Sequence, residues 1–348
     1  MVLINKEGII LSRTGLHFED EGVLNPAVIR DGDNVHLIYR AVSKGNFSSL
    51  GYCLLHGPLH VEERMMTPIL FSQFEYERHG VEDPRIVRID ETYYLTYTAY
   101  DGVNALGALA ISTDLIHFEK IGIIVPQVSY DEFKRLAACQ NPINEKYSRF
   151  NDRNHLLTVP DKSILVWDKN LIFFPRRIKG KLFFLHRIKP DILITQISDI
   201  KDLTKDFWDN YLLHLMDHVA LAPRHRHEVS YIGGGCPPIE TPAGWILIYH
   251  GVHDTTKGYV YSACVALMDL DDPQKEIARL PYPLFKPELD WELRGEVNNV
   301  CFPTGAVQFD DRLYIYYGAA DERIAVASLS MSALLDELML YKSIANGN

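Results

Sequence analysis

Cysteine is scarce in this 348-residue chain, and the five cysteines that occur lie far apart. Their number is odd, and no two of them form a CxxC pair or a Cys/His cluster at zinc spacing. A disulfide framework and a structural zinc site are therefore not expected. We predict buried, reduced thiols at Cys53, Cys139, Cys236, Cys264 and Cys301.

Long apolar runs and an excess of positive charge are also missing. No stretch approaches the roughly 20 apolar residues that span a bilayer, and the N-terminal residues lack the pattern of a signal peptide. We expect a cytoplasmic protein, or a periplasmic one if a leader was removed, without a membrane partner. The 46 acidic residues exceed the 35 basic ones, giving a net charge of −11, so nucleic acid is not an expected partner.

Aromatic and turn-forming residues are abundant by contrast. The chain contains 19 Tyr, 15 Phe and 4 Trp, together with 18 Pro and 22 Gly. Aromatic residues favour strands, and proline and glycine favour the turns between them. The composition indicates a β protein rather than a helical bundle.

One pattern recurs five times along the chain. A proline opens a short strand, a turn rich in Gly or Asp follows, and a second strand ends in Tyr or His. The aromatic residue follows the proline by 13, 13, 11, 11 and 13 residues. The prolines are Pro26, Pro84, Pro175, Pro238 and Pro303, and the aromatic residues are Tyr39, Tyr97, His186, Tyr249 and Tyr316. Each unit is typical of a β-hairpin.

The spacing of these units predicts the architecture. Successive repeat prolines are 58, 91, 63 and 65 residues apart, which suits the blades of a five-bladed β-propeller in an all-β domain spanning residues 1–348. A multi-sheet sandwich is the alternative. The long interval of 91 residues between the second and third repeat prolines predicts an insertion at about 125–165, between blades 2 and 3. This insertion is expected either to lie over the propeller mouth or to form an arm for self-association into a homo-oligomer. Apolar residues at helical spacing predict a C-terminal helix at about 331–345.

Polar residues gather around the repeat prolines and at the ends of the hairpins. In a propeller these segments approach the central axis, so their side chains should form one polar pocket. Asp-Pro and Asn-Pro are also ordinary turn initiators, and any one of these residues can serve structure alone. The candidates are Asn25, Arg40, Asp83, Arg85, Asp101, Arg187, His250 and Asp321.

At these positions the sequence resembles glycoside hydrolase family 130, which comprises β-mannoside phosphorylases and related β-mannosidases. The segments that carry the resemblance are LNPAV at 24–28, GVEDPRI at 80–86, FFPRRIKGKLFFLHR at 173–187, GGGCPPIETPAGWILIYHGV at 233–252, NVCFPTGAV at 299–307 and IYYGAAD at 315–321. They occur in the family's order and cover nearly the whole chain. The family fold is a five-bladed β-propeller.

The resemblance implies an inverting attack on a β-mannoside. Asp83, in the EDPR motif, looks like the family's acid, which passes its proton through a sugar hydroxyl. Asn25, Arg40, Arg85, Asp101, Tyr231 and Asp321 look like contacts to the substrate. Lys169, Arg187 and His250 fall where the phosphorylases hold phosphate.

Three functions remain open at this point. A phosphorylase releases α-mannose 1-phosphate and needs cations to hold inorganic phosphate, whereas a hydrolase needs a carboxylate base for water. Tyr231 stands where many of the family's phosphorylases are expected to have lysine, and Glu228 lies three residues earlier as a candidate base for an inverting, possibly β-1,2-specific, mannosidase. A propeller that binds carbohydrate without catalysis is the third hypothesis. Inorganic phosphate is the expected co-substrate of a phosphorylase, and no other cofactor and no metal are expected.

Overall fold

Strands dominate the part of the chain that the computed structural model describes, which comprises residues 1–139, 142–149 and 163–342. They fall into five groups, numbered in chain order. The first group is β2 (Gly22–Asp31), β3 (Asn34–Ser43), β4 (Phe47–His56) and β5 (His60–Arg64). The second is β6 (Gly80–Ile89), β7 (Thr92–Tyr100), β8 (Ala105–Ser112) and β9 (Glu119–Ile123). The third is β10 (Lys169–Phe173), β11 (Leu182–Arg187), β12 (Ile192–Ile197) and β13 (Val219–Leu221).

The fourth group is β14 (Tyr231–Gly234), β15 (Ile239–Thr241), β16 (Gly244–Thr255), β17 (Gly258–Met268) and β18 (Glu276–Arg279). The fifth is β19 (Cys301–Phe309), β20 (Arg312–Ala319), β21 (Arg323–Ser330) and the N-terminal strand β1 (Asn5–Leu11). Within each group the strands pair antiparallel. A single parallel pair, Ser48 with Gly80, joins the first two groups into one eight-stranded sheet. Among the described residues, no sheet closes on itself.

All five hairpins that the repeat predicts are present. In the first, second and fifth groups the repeat proline lies within the first strand, and the turn contains a residue with positive φ, which is Gly32, Asp90 or Asp310. Glycine, and asparagine or aspartate to a lesser degree, tolerate this backbone conformation. The turn residues that marked the repeat in the sequence therefore define the hairpins in the structure.

A buried carboxylate, a tyrosine and a cation recur in four of the five groups. In the first group the hydroxyl of Tyr39 on β3 donates to Glu19 at 2.6 Å, and Arg64 on β5 lies 2.8 Å from the same carboxylate. Glu19 is completely buried, so the cation compensates the loss of its hydration. The other three sets are Tyr97–Glu77–Lys120, Tyr249–Glu228–Arg279 and Tyr317–Glu292–Lys6.

These networks explain the aromatic residue at the end of each repeat. It is a buried hydrogen-bond donor to the glutamate, and in the fifth group the next residue, Tyr317, takes this place. In the first, second and fourth groups the glutamate therefore holds the hydroxyl of the repeat tyrosine in the interior. In the third group His186 replaces tyrosine and contacts Asp168 at 2.7 Å and Tyr211 at 2.8 Å.

Helices are few in the described part of the chain, and two of them, at 130–137 and 205–213, pack in one apolar cluster with strands of the third group. The described helices are Tyr130–Ala137, Lys205–Leu213, Asp290–Leu293 and Met331–Leu340, with 3-10 turns at His17–Glu19, Glu75–Glu77, Ile200–Asp202, Leu215–His218 and Arg226–Glu228. The predicted C-terminal helix is shorter than the expected 331–345, since it ends at Leu340, and residues 343–348 lie outside the described part. None of the described helices has the length and apolar character that crossing a membrane requires.

The predicted insertion lies where expected, between β9 and β10. Its helix Tyr130–Ala137 buries Tyr130 and Phe133 in one apolar cluster with Trp208 of the neighbouring helix. Residues 140–141 and 150–162 of the insertion are outside the described residues. The described portion packs on its own chain, and both interpretations of the insertion's role stay predictions, as does the single domain.

Replacing Lys6 with methionine tests the buried networks. The variant keeps the apolar part of the side chain and leaves Glu292 buried without its cation. We expect the free energy of unfolding to fall by about 2–4 kcal/mol, measured by urea denaturation followed by circular dichroism. Lys44→Met, at an exposed lysine, serves as the control. Equal stability of the two variants would show that the network does not hold β1 to the fifth group.

Candidate active site

Three asparagine and aspartate residues with left-handed backbone conformation lie around one cavity. Asn25, Asp83 and Asn170 have φ of 49°, 50° and 54°. Each lies at a β-bulge in the first strand of its group, where the pairing register shifts. Asparagine and aspartate tolerate this conformation better than most residues, and a bulge redirects the side chain at that point of the strand. All three side chains line one cavity.

This cavity has a volume of about 240 Å³. Its wall contains seven of the residues predicted for the site, contributed by all five strand groups. These are Asn25, Arg40, Asp83, Lys169, Arg187, Tyr231 and Asp321. A second cleft of about 320 Å³, between the third group and the loop at 271–274, contains none of the predicted residues. We therefore take the smaller cavity as the candidate active site.

The first, second and fifth groups supply the carboxylates of the cavity. The side-chain amide of Asn25 donates to Oδ1 of Asp83 at 2.7 Å. Arg40 lies 3.5 Å from the same oxygen and donates to Glu82 at 2.8 Å. Burial raises the pKa of Asp83, but Arg40, Lys169 and Arg85 outweigh that effect, so the pKa lies below its usual value. Asp83 is ionised in the free protein.

Asp321 has the opposite electrostatic character. Burial raises its pKa to about 6, since the attraction of Arg40 is too weak to offset desolvation and the repulsion from Asp83. The two carboxyls of one cavity thus differ in pKa, with Asp83 below and Asp321 above the usual value, a division that acid–base catalysis exploits.

Gly318, in the IYYGAAD segment, permits this packing. A Cβ atom at this position would lie 2.0 Å from Oδ1 of Asn25. Any larger residue would displace the amide that hydrogen-bonds to Asp83. Glycine at position 318 therefore allows β20 to lie close to the bulge at Asn25.

The third group supplies the cations of the cavity, and the fourth supplies two tyrosines beside them. Lys169, Arg187 and Lys189 line the cavity, and the nitrogen of Lys189 lies 4.0 Å from the centre of the Tyr231 ring. The guanidinium carbon of Arg187 lies 5.4 Å from the same ring. The hydroxyl of Tyr231 is 2.5 Å from that of Tyr261. Three cations beside hydroxyl donors make this side of the cavity suited to an anion.

His250 lies behind Arg187 and does not line the cavity. Burial, together with the nearby Arg187 and Arg85, holds its pKa well below the usual value, so the ring is neutral. Its Nε2 accepts a hydrogen bond from Arg187 at 3.2 Å. A Cβ at Gly233 would lie 2.5 Å from that ring. Glycine at this position therefore leaves room for the imidazole ring of His250. The structure thus gives His250 contact with Arg187 rather than with a ligand in the cavity.

Three other predicted residues also lie away from the cavity wall. Asp101 accepts hydrogen bonds from the backbone amides of Val103 and Asn104 at 2.8 and 2.7 Å, so it stabilises the turn after β7. Arg85 is almost completely buried and donates to the carbonyl oxygen of Asp83 at 2.9 Å, which supports the bulge from behind.

Glu228 is the third. It is completely buried and belongs to the network with Tyr249 and Arg279 described above, and it accepts backbone hydrogen bonds from Arg224 and His225. The structure does not bring this carboxylate to the cavity where it was expected as a base for water.

A possible metal cluster lies beside that network. His227, Glu228 and Cys264 place ligand-type atoms within 4.8 Å of one another. Glu228 is already compensated by Arg279 and Tyr249, which leaves little negative charge for a cation. The expectation that no metal takes part stays a prediction.

Several cavity residues were missed in the sequence. Lys189 lies in the turn after β11, two residues beyond Arg187, where no strand pattern marks it in the sequence. Asn170 stands at a bulge that no turn motif marks. Trp167, Tyr261 and Phe302 also line the cavity, and single aromatic residues gave no sequence signal.

Comparison with known proteins identifies the same family as the sequence segments did. The profile of glycoside hydrolase family 130, described as β-1,4-mannooligosaccharide phosphorylase, matches residues 17–340. A β-1,2-mannobiose phosphorylase of Thermoanaerobacter sp. (strain X514) is 35% identical over 325 residues, covering 89% of this chain and 90% of that protein. A 1,2-β-oligomannan phosphorylase of the same organism is 32% identical over 342 residues, covering 94% and 96%.

The fold has a counterpart among solved structures. The β-1,2-mannobiose phosphorylase from Listeria innocua, in complex with β-1,2-mannobiose, superposes with a TM-score of 0.71 at 22% identity over 97% of this chain and 99% of that one. The chain is thus a carbohydrate-active enzyme. It belongs to glycoside hydrolase family 130, as the sequence segments indicated.

The pKa of Asp321 predicts how stability depends on pH. The folded carboxyl binds its proton more tightly than the unfolded one, so its contribution to stability falls as the pH rises from about 4 to about 6. Asp321→Asn removes the charge, and at pH 7 we expect this variant to be more stable than the wild type by about 2 kcal/mol. The difference should vanish near pH 4.

Urea denaturation at several pH values measures this difference. Asp90→Asn is the matched control, because Asp90 also has a positive φ and is exposed. A constant difference between Asp321→Asn and the wild type at every pH would contradict the raised pKa.

Proposed function

We propose that this enzyme is an inverting β-mannoside phosphorylase. It cleaves a β-mannoside with inorganic phosphate and releases α-mannose 1-phosphate. The observation that carries the proposal is the group of three cations, Lys169, Arg187 and Lys189, in the same cavity as Asp83. The names of the two relatives, both mannoside phosphorylases, support the same reaction and the same class of sugar.

Asp83 is the proton donor in this proposal. A phosphate oxygen attacks the anomeric carbon as the glycosidic bond breaks, and the leaving oxygen receives the proton of Asp83 through a sugar hydroxyl. Hydrogen phosphate loses its proton to solvent as the phosphate ester forms, which balances the proton that Asp83 takes up from solvent before each turnover. Phosphate is already anionic, so the attack needs positioning and charge compensation rather than a general base.

Binding of phosphate also favours the protonated state of Asp83. In the free protein Lys169 helps to lower the pKa of Asp83. A phosphate dianion beside Lys169 compensates that cation and adds a negative charge near the carboxyl, so the pKa of Asp83 rises. Asp83 then takes up a proton on formation of the complex in which it must donate one.

The other cavity groups hold the sugar and the anion. Asp321, with its raised pKa, can donate or accept a hydrogen bond to a mannose hydroxyl, and Asn25 and Arg40 fix Asp83. Arg187 and Lys189 bind phosphate, and the neutral His250 orients Arg187. Inorganic phosphate is the co-substrate, and the reaction requires no other cofactor.

Hydrolysis is the less supported reaction for this chain. It requires a carboxylate that activates water, and the base considered for it, Glu228, is engaged with Tyr249 and Arg279 outside the cavity.

The five strand groups would be the blades of a five-bladed β-propeller in this proposal. Neighbouring first strands contact one another in succession, β2 with β6, β6 with β10, β10 with β14, and β19 with β2. Pairing of β1 with β21 joins the two ends of the chain in the fifth group. A ring of this kind would bring residues of all five groups to one axial cavity.

The dependence of cleavage on phosphate tests the reaction. With β-1,2- or β-1,4-mannobiose, we expect mannose release only when phosphate is present, measured by chromatography of the products. Asp83→Asn should lower turnover by at least about 100-fold, because an amide cannot donate the proton. Equal cleavage without phosphate would contradict phosphorolysis, and full activity of Asp83→Asn would contradict the assignment of the acid.

Replacing Arg187 with methionine tests the anion side of the cavity. Loss of a charge-assisted hydrogen bond should raise the KM for phosphate by about 10- to 100-fold, with a smaller effect on the KM for the mannoside. Arg13→Met, at an exposed arginine, is the control. A larger effect on mannoside than on phosphate would place Arg187 at the sugar instead.

A further inference from the structure

A row of aromatic rings leads from the cavity to the surface. Trp167 lines the cavity, and its ring centre lies 6.4 Å from that of Tyr100. The ring of His79 follows at 5.3 Å and that of Phe47 at 4.7 Å, the last two being stacked. Phe47 is 49% exposed. We call these four residues the aromatic row.

The row is fixed by the same elements that build the site. Phe47 and His79 each precede one member of the parallel pair Ser48 and Gly80, which joins the first and second groups. The amide of His79 donates to the carbonyl of Tyr100 at 2.9 Å, and the amide of Ser48 to that of His79 at 3.3 Å. These backbone hydrogen bonds make the row a preformed surface that requires little ordering when a ligand binds.

Ser48 connects the row to the catalytic side of the cavity. Its hydroxyl accepts a hydrogen bond from Arg40 at 2.9 Å, and Arg40 contacts Glu82 and Asp83. Phe47, His79 and Tyr100 of the row belong to the first and second groups, and Trp167 precedes β10 of the third, with its ring centre 5.6 Å from Nζ of Lys169. The cations that would hold phosphate come from the third group.

Inversion determines which part of the substrate extends over this surface. Phosphate attacks from one face of the sugar while the leaving oxygen departs from the other, towards its proton donor. With phosphate beside Arg187 and Lys189, and the proton on Asp83, the leaving part of the substrate points to the second group. Tyr100, His79 and Phe47 extend the row from Trp167 to that side, over the second and first groups.

We propose that the aromatic row binds the leaving end of a β-mannoside oligosaccharide longer than a disaccharide. The C–H face of a pyranose ring is apolar and stacks on an aromatic ring face, as other apolar and weakly positive groups do. This inference rests on the proposed phosphorolysis and adds a preference for chain length. Exposed Phe47 is the outermost contact, so it affects only substrates long enough to reach it.

The test compares substrates of different length. For wild type and variants, kcat/KM of phosphorolysis is measured with a mannobiose and with the mannotetraose of the same linkage. In Phe47→Ala we expect the ratio of tetraose to biose to fall by about tenfold, and in Phe47→Trp we expect it to be retained. Circular dichroism verifies that each variant is folded.

Two control variants make the outcome specific. Phe74→Ala removes an exposed phenylalanine that stacks on Tyr76 outside the row, and it should leave the ratio unchanged. Tyr259→Ala removes an exposed aromatic ring on the fourth group, next to Tyr231. A fall of the ratio in Tyr259→Ala but not in Phe47→Ala would overturn the proposal.

Binding measurements separate this inference from the proposed function. If the wild type shows no phosphorolysis, the proposed reaction fails, and calorimetric titration with the same mannotetraose still tests the row. Weaker binding of tetraose to Phe47→Ala than to Phe74→Ala supports the row, and equal binding refutes it.

Discussion

Arg40 is the cation on which the candidate site depends. Its guanidinium donates to Glu82 and to Ser48 and lies 3.5 Å from Asp83, so it ties the first strand group to the second at the cavity. Carboxylates in a confined space repel one another and lose hydration, and a shared guanidinium is what permits them to face one cavity. Arg40 helps to keep Asp83 ionised, whereas burial raises the pKa of Asp321 to about 6 despite Arg40.

Buried carboxylates serve two purposes in this molecule, and their partners distinguish them. Glu19, Glu77, Glu228 and Glu292 are each held by a tyrosine hydroxyl and a cation of their own strand group, away from the cavity. Asp83 and Asp321 face the cavity and share two cations from other groups, Arg40 and Lys169. Because the second and fifth groups contain both kinds, counting carboxylates near a motif does not identify a catalytic base.

The sequence contained most of the site and the hairpins of the fold. Proline and turn residues predicted the hairpins because Gly and Asp stand where φ is positive, and the residues before the prolines converge because bulges occur there. Asp101 and Glu228 were wrongly placed in the site for one physical reason. A carboxylate that accepts hydrogen bonds from turn amides, or from the hydroxyl of a tyrosine distant in sequence, cannot be distinguished in the sequence from a carboxylate that binds a ligand. Lys189 lies in the turn after β11, and its place in the cavity, like that of Asn170 and the aromatic row, depends on how separate strand groups meet.

The central claim is that acid and anion act on opposite faces of one sugar. Asp83 belongs to the second group and the anion-holding cations mainly to the third, and this separation is what inversion requires. The most direct measurement is proton NMR of the sugar phosphate as it forms from a β-mannobiose and phosphate, before any anomerisation. We expect α-mannose 1-phosphate as the first product. Initial formation of the β-anomer, or of free mannose from both halves of the substrate without any sugar phosphate, would contradict it.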